Sequence, residues 1–236
     1  MGWKNYNLIT FGCSHTYGVG LPDCVVANMV PPNITPPSKS AWPVILKQLV
    51  GFKSLDNKSF PAISNRIIAK NAVEYKHYTK DSVVIIFWTN FDRHTIFEDA
   101  ETNKYHFLAG HIDGKPLPSL SLQSVRDVER YRKQLLNYYS ELLTDYDSIF
   151  SQIVLMNYVN TYLNSNGIKC FHIVAEHNYG KEYSDWSKYN IPNLKLKLFT
   201  WDKDFKIDDG LDVPHPHPGV NSHKLLATNV RQWFFR

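Results

Sequence analysis

The run Asn7-Leu8-Ile9-Thr10-Phe11 is apolar at three of five positions and stops at Gly12, the pattern of a buried strand entering a tight turn. Val83 to Trp88 is apolar throughout and rich in β-branched residues. Such a run predicts a strand covered on both faces, as in a parallel sheet. Ile168 to Ala175 reads as another strand, and Leu194, Leu196 and Leu198 alternate with Lys195 and Lys197 as in a half-exposed one. Helical spacing lies between them. Trp42, Ile45, Leu46 and Leu49 share a face, with Ser40 placed to cap the helix and Gly51 to end it. Ile67, Ile68, Ala72 and Val73 follow Ser64-Asn65 in the same way. Val125 to Asn164 repeats apolar residues at three and four, from Val128 and Tyr131 through Leu142 and Leu143. After a break near Asp145, Ile149, Ile153, Met156, Val159 and Leu163 continue the pattern to a stop at Gly167. Asn221 to Trp233 closes the chain with Leu225, Leu226, Val230 and Trp233 on one side. Prolines 22, 31, 32, 36 and 37 exclude a helix between them. Asn57–Ile63, Tyr105–Leu122, Asn178–Asn193 and Pro214–Gly219 read as irregular. Strands alternating with helices predict an α/β domain with a mostly parallel sheet.

The 236 residues fit one domain over 1–236, with loop insertions near 22–40, 100–122 and 178–193. An apolar share of 43% excludes a disordered chain. Lysine and arginine exceed the acids by 26 − 22 = 4, too small a surplus to argue for nucleic acid. No apolar run reaches the roughly 18 residues of a membrane span. Met1 to Thr10 is not a basic-then-apolar leader, and three cysteines without metal-type spacing argue against a disulfide framework. The expected setting is cytoplasmic.

Three places could carry chemistry. Gly12-Cys13-Ser14-His15-Thr16-Tyr17-Gly18 puts a serine directly after a buried strand, at the sheet end where open α/β folds bind ligands. Ser14 is either an exposed nucleophile or an ordinary helix cap. Asn90, after Trp88-Thr89, emerges at the same edge if the two strands are parallel. Its amide could donate to an oxyanion, or it could simply form a turn. Arg93 and His94 follow, as solvated groups or as partners of that loop. The third place is Asp212-Val213-Pro214-His215-Pro216-His217-Pro218-Gly219, with His223 beyond. An imidazole with an acidic neighbour suits a general base. The same His215, His217, His223 and Asp212 could alternatively ligate zinc. The serine lies near one end of the chain and the imidazoles near the other, as is normal for sites assembled in space. Tyr183, Trp186, Tyr189 and Trp201 could stack on sugar rings or fill the edge of the core.

Together these segments resemble the SGNH (GDSL-like) hydrolases, especially short phage and bacterial members. Gly12-Cys13-Ser14 resembles the first block, usually Gly-Asp-Ser. Ala62-Ile63-Ser64-Asn65, preceded by Asn57, resembles the second, with Ala62 where the family has glycine. Trp88-Thr89-Asn90 resembles the third. The last block has two registers. His217-Pro218 with His223 matches over the longer stretch, to Ala227, and is favoured, but sets His215 where an acid is expected. With His215 as base, Asp212 is its normal partner. The resemblance runs from Phe11 to Ala227, with Trp42-Pro43 between the first two blocks. It implies a three-layer α/β/α sandwich around a five-stranded parallel sheet. It also implies a cofactor-free, metal-free serine esterase cleaving acyl or acetyl esters, O-acetyl groups on carbohydrate among them. Ser14, Ala62 and Asn90 would form the oxyanion hole, and His217 or His215 the base. A non-catalytic binding or virion protein on the same fold is the alternative, virion-associated if phage-encoded, and a metal hydrolase built on the histidines is a third. The sequence leaves the oligomeric state open.

Overall fold

The computed structural model describes residues 2–24, 36–61, 63–91, 93–97, 103–107, 137–138, 141, 144–175, 189, 191–205, 209 and 217–236. The expectations for Ala62, Asp212, His215, Tyr183, Trp186 and the 125–136 stretch lie outside these residues, as do most of the three loop insertions.

Five strands form one parallel sheet: β1 (Asn7–Phe11), β2 (Ser54–Asn57), β3 (Ser82–Phe87), β6 (Lys169–Ala175) and β7 (Leu196–Phe199), in the order β2-β1-β3-β6-β7. A separate antiparallel hairpin joins β4 (His94–Phe97) to β5 (Asn103–Phe107). The helices are α1 (Ser14–Tyr17), α2 (Trp42–Val50), α3 (Asn65–Glu74), α4 (Asp145–Ser165) and α5 (Val220–Phe234).

The central strands are apolar at every position because both sheet faces are covered. Alternate residues divide between two cores. Ile9, Phe11, Val84, Ile86, Trp88 and Val174 pack with Ile67, Ile68, Ile153, Met156 and Val159 of α3 and α4. Leu8, Val83, Ile85, Phe87, Phe171 and Ile173 pack with Trp42, Leu46, Leu226 and Val230 of α2 and α5. This is the expected three-layer sandwich.

Several local expectations are corrected. Ala41, not Ser40, occupies the cap position of α2, and Leu49 turns outward and is exposed. The cap forms one residue later because the Trp42 N–H has a remote partner, the His223 ring, 3.0 Å away. Asn57 ends the strand β2, whereas the sequence pattern showed only irregular chain there. The hairpin and the π-helical turn at Trp201–Phe205 also lie where no element was expected. The break before α4 is real: the Thr144 hydroxyl caps the helix, accepting from the Asp147 N–H at 3.1 Å.

Candidate active site

Strand order reverses at β1. The chain leaves β1 toward β2 on one side, and later strands are added on the other side, starting with β3. Open α/β sheets place ligands outside the carboxyl ends of the strands at such a switch point. Phe11 pairs with Ile86, so Gly12–Ser14 and Trp88–Asn90 leave the sheet side by side.

The first of these turns depends on glycine. A Cβ on Gly12 would lie 2.8 Å from Thr16 Cβ and 3.1 Å from the Phe87 carbonyl oxygen. The chain then enters α1 with Cys13 as its extended N-terminal cap residue. The Cys13 carbonyl accepts from the Thr16 and Tyr17 N–H groups, each at 3.0 Å. Ser14 is therefore the first helical residue and not the cap, which corrects that alternative. Its own N–H belongs to the first turn, where an α-helix offers no internal acceptor. The side chain is buried, with 5% exposure. Gly18 ends the turn at φ 90°.

Asn57, at the end of β2, holds this turn from the side. Its amide donates to the Thr16 carbonyl at 2.9 Å, and its oxygen accepts from Thr10 Oγ1 and the Ser59 N–H, both at 3.1 Å.

Asn65 does the same for the second turn. Its Nδ2 donates to the Thr89 carbonyl at 2.9 Å and its Oδ1 accepts from the Thr89 N–H at 2.8 Å, a two-point clamp on the backbone just before Asn90. Ser64 does not cap α3 with its side chain; its hydroxyl shares a 2.6 Å hydrogen bond with Thr95. Arg93 is partly buried, and its Nη1 has no hydrogen-bond partner among the described residues. His94 begins β4.

The other end of the chain arrives at the same rim. The His15 ring, next to Ser14, lies 5.4 Å from the His217 ring. It also stands edge-on to Trp201 at 4.6 Å and Phe205 at 5.9 Å. Trp201 packs against Phe199 and Phe205, so it both fills the core edge and walls the histidine cluster. Tyr189 packs partly buried against the α3/α4 core.

His223 is committed elsewhere. It is buried on α5, and its Nδ1 accepts the Trp42 N–H, tying the start of α2 to α5. That bond leaves the proton on Nε2, which is buried. Burial, with added repulsion from His15 and His217, pushes its pKa down to about 3, so the ring is neutral. A zinc site using His223 would have to do without its Nδ1.

Sequence reasoning missed Asp209. Burial tends to raise its pKa, but hydrogen bonds from Ser222 Oγ (2.6 Å) and from the Asn221 (2.6 Å), Gly219 (2.9 Å) and Ser222 (3.4 Å) N–H groups outweigh this and hold it below the usual carboxylate value. It thereby caps α5 two residues after His217. A Cβ on Gly219 would collide with the Asp209 backbone, so the close approach needs a glycine. The available signal was the acidic Asp208-Asp209 pair upstream of a helix, but the cap lies ten residues from Gly219.

No family model matches the chain, and no curated protein does. Solved structures match its fold. A G-D-S-L family lipolytic protein from Desulfitobacterium hafniense DCB-2 superposes with a TM-score of 0.52 at 14% identity, covering 98% of this chain and 100% of that one. An acetyl xylan esterase from Butyrivibrio proteoclasticus gives 0.52 at 12% identity, covering 97% and 64%. The chain has the SGNH-hydrolase fold. A third structure on this fold is a carbohydrate esterase whose active site displays divergent catalytic and non-catalytic binding functions (TM-score 0.51, 11% identity, covering 97% and 70%). On the SGNH fold, the two turns described above occupy the rim where β1 and β3 end.

Proposed function

We propose that the protein is a serine esterase of SGNH type, acting on acyl or acetyl esters, with O-acetyl groups on carbohydrate as its substrate class. The observation that carries this reading is the convergence at one sheet rim of the Ser14 turn, the clamped turn bearing Asn90, and His217 against His15. Fold likeness to lipolytic proteins and carbohydrate esterases supports the same class.

In this reading Ser14 Oγ attacks the ester carbonyl carbon as His217, or His215 in the other register, takes its proton. The oxyanion is held by the N–H groups of Ser14 and Ala62 and the Asn90 amide, each donor being worth about 2.7–4 kcal/mol of barrier. Collapse of the tetrahedral intermediate expels the alcohol, which receives the imidazolium proton. Water then hydrolyses the acyl-enzyme by the same steps. Neither half-reaction calls on a cofactor. With His217 as base the acid partner is not its usual neighbour, because His215 stands in that position.

The expected result is hydrolysis of a short-chain aryl acetate by the purified protein and a loss of at least ~10³-fold in kcat in Ser14→Ala. Equal rates would remove Ser14 from the mechanism. A second reading, a non-catalytic binding protein on the same fold, is favoured by the burial of Ser14 and by alanine in place of glycine at position 62. A serine-directed fluorophosphonate separates the two: the esterase is labelled at Ser14, and the binding protein is not.

A further inference from the structure

Strand β7 is the outermost strand of the parallel sheet and pairs with β6. Leu196 and Leu198 pack toward the α3/α4 core, so Lys197, and Lys195 just before the strand, project from the opposite face. On β6, Lys169 alternates with Phe171, which belongs to the α2/α5 core on that same face. The pairing of His172 with Leu196 sets the rows across the two strands. Lys169 lies three rows before that pair, Lys195 one row before it and Lys197 one row after it. The three lysines therefore follow one another in two-residue steps, about 6.6 Å each and ~13 Å in all.

Each ammonium group is seated on a ring. Lys169 Nζ lies 4.2 Å from the centre of the Tyr6 ring and donates to Tyr6 Oη at 2.8 Å. Lys195 Nζ lies 5.1 Å from the Phe171 ring, and Lys197 Nζ lies 5.3 Å from Trp233. Such contacts fix the ends of long side chains without cancelling their charge. Lys58 and Lys70 are neutralised by Asp56 and Glu74, but among the described residues none of these three lysines has a carboxylate at ion-pair distance. Asp81, before β3, and Asp204, in the turn after β7, flank the row, and neither pairs with it. Lysine on an edge strand also deters pairing with a second sheet. That purpose does not account for Lys169, which sits on the inner strand β6, nor for a ring beneath each ammonium.

The row leads to the rim. Past Lys197, β7 ends at Phe199 and the chain passes into Trp201, whose ring stands 4.6 Å from His15, next to Ser14. From this row we infer that the protein binds an acidic polysaccharide along β7, with carboxylates of the sugar chain on Lys169, Lys195 and Lys197. The choice of a sugar polymer rests on the esterase reading above, and the charge of the ligand rests on the lysines. A chain carrying carboxylates at intervals matches ammonium groups held at intervals, and its O-acetyl groups would be carried toward the Ser14 turn. Exposed charges are screened over roughly 8–10 Å at physiological salt, so this binding is salt-dependent.

Calorimetric titration with polygalacturonate in calcium-free buffer is the test, on the Ser14→Ala chain so that binding does not depend on turnover. Binding should appear at low salt and weaken about tenfold on going to physiological salt. Lys195→Gln with Lys197→Gln should weaken it at least ~tenfold, whereas arginine at both positions should keep it. Lys76→Gln with Lys80→Gln removes the same charge from exposed lysines elsewhere and should change it by less than about twofold. The urea midpoint of each variant checks its fold. No binding of polygalacturonate would overturn the proposal, as would an equal loss from both pairs of substitutions. Poly-uridylate or phosphatidylserine vesicles bound as tightly would overturn it too, by showing a surface for any polyanion. Aryl acetate turnover lost to no substitution of Ser14, with this binding intact, would sink the esterase reading alone; turnover that needs Ser14, without polymer binding, would sink this inference alone.

Discussion

Asn65 shows how much one side chain can settle at this rim. Read along the chain, it is a polar residue at a helix start, where short polar residues commonly cap. In the fold it is buried and clamps both backbone groups of Thr89. The contact could not be read from the chain, because its partner lies 24 residues away in the turn after β3. Replacing Asn65 by aspartate keeps the shape and the acceptor but removes the donor to the Thr89 carbonyl, leaving a carboxylate oxygen against it. Losing a buried donor costs about 1–3 kcal/mol. Urea denaturation should show that loss. If Asn90 is an oxyanion donor, ester turnover should also fall further than KM rises, because the donor shifts relative to the transition state. Unchanged stability would mean that the clamp carries no load. Gly12 makes the complementary case: Gly12→Ala adds a methyl 3.1 Å from the Phe87 carbonyl oxygen, and the Ser14 turn must move to accept it.

Among the elements, legibility followed burial. The strands β1, β3 and β6 could be read because both of their faces are covered, which forces near-continuous apolar runs. Ser54-Leu55-Asp56-Asn57 could not, because β2 is an edge strand paired only with β1 and only partly buried. The hairpin β4–β5 and the π-helical turn depend on tertiary partners: Thr95 bonds Ser64, and the Asn229 amide donates to the Asp204 carbonyl. Of the site, the Ser14 and Asn90 turns were legible as ends of buried strands. The aromatic walls around His15 were not, since Phe87, Trp201 and Phe205 converge only in the folded chain. Element boundaries were best where a local cap sets them. The Thr144 hydroxyl on the Asp147 N–H is such a cap, and Thr144→Ala should cost about 1 kcal/mol. The loss should be visible as a lower urea midpoint with an unchanged slope. An unchanged midpoint would show that the start of α4 is held by packing alone.

Across the whole molecule, acid stability depends on two buried imidazoles, one in each core layer. His172 on β6 lies on the α3/α4 side, edge to edge and coplanar with Trp88, whose indole N–H donates to its Nδ1 at 3.0 Å. Its Nε2 proton then faces Cys170 Sγ at 3.2 Å. Burial pushes the His172 pKa down to about 3, as it does that of His223 on the α2/α5 side. Both folded values lie below the 6.5 of a free histidine. Between those limits the unfolded chain binds protons that the folded chain refuses, so stability is full above pH 6.5 and falls as pH drops toward 3. At pH 5 each ring contributes about 2 kcal/mol of that loss, 1.5 pH units below the free value at 1.36 kcal/mol per unit. Asp209, whose pKa is held low, loses its own contribution only at more acid pH, so the interval from 6.5 to 5 reports on the imidazoles. Urea denaturation at pH 7 and pH 5 should therefore differ by about 4 kcal/mol. His223→Asn, which retains an acceptor for the Trp42 N–H, should lower stability at pH 7 and roughly halve that difference. The same difference in the variant and the parent chain would show that the His223 ring is not held neutral by the fold.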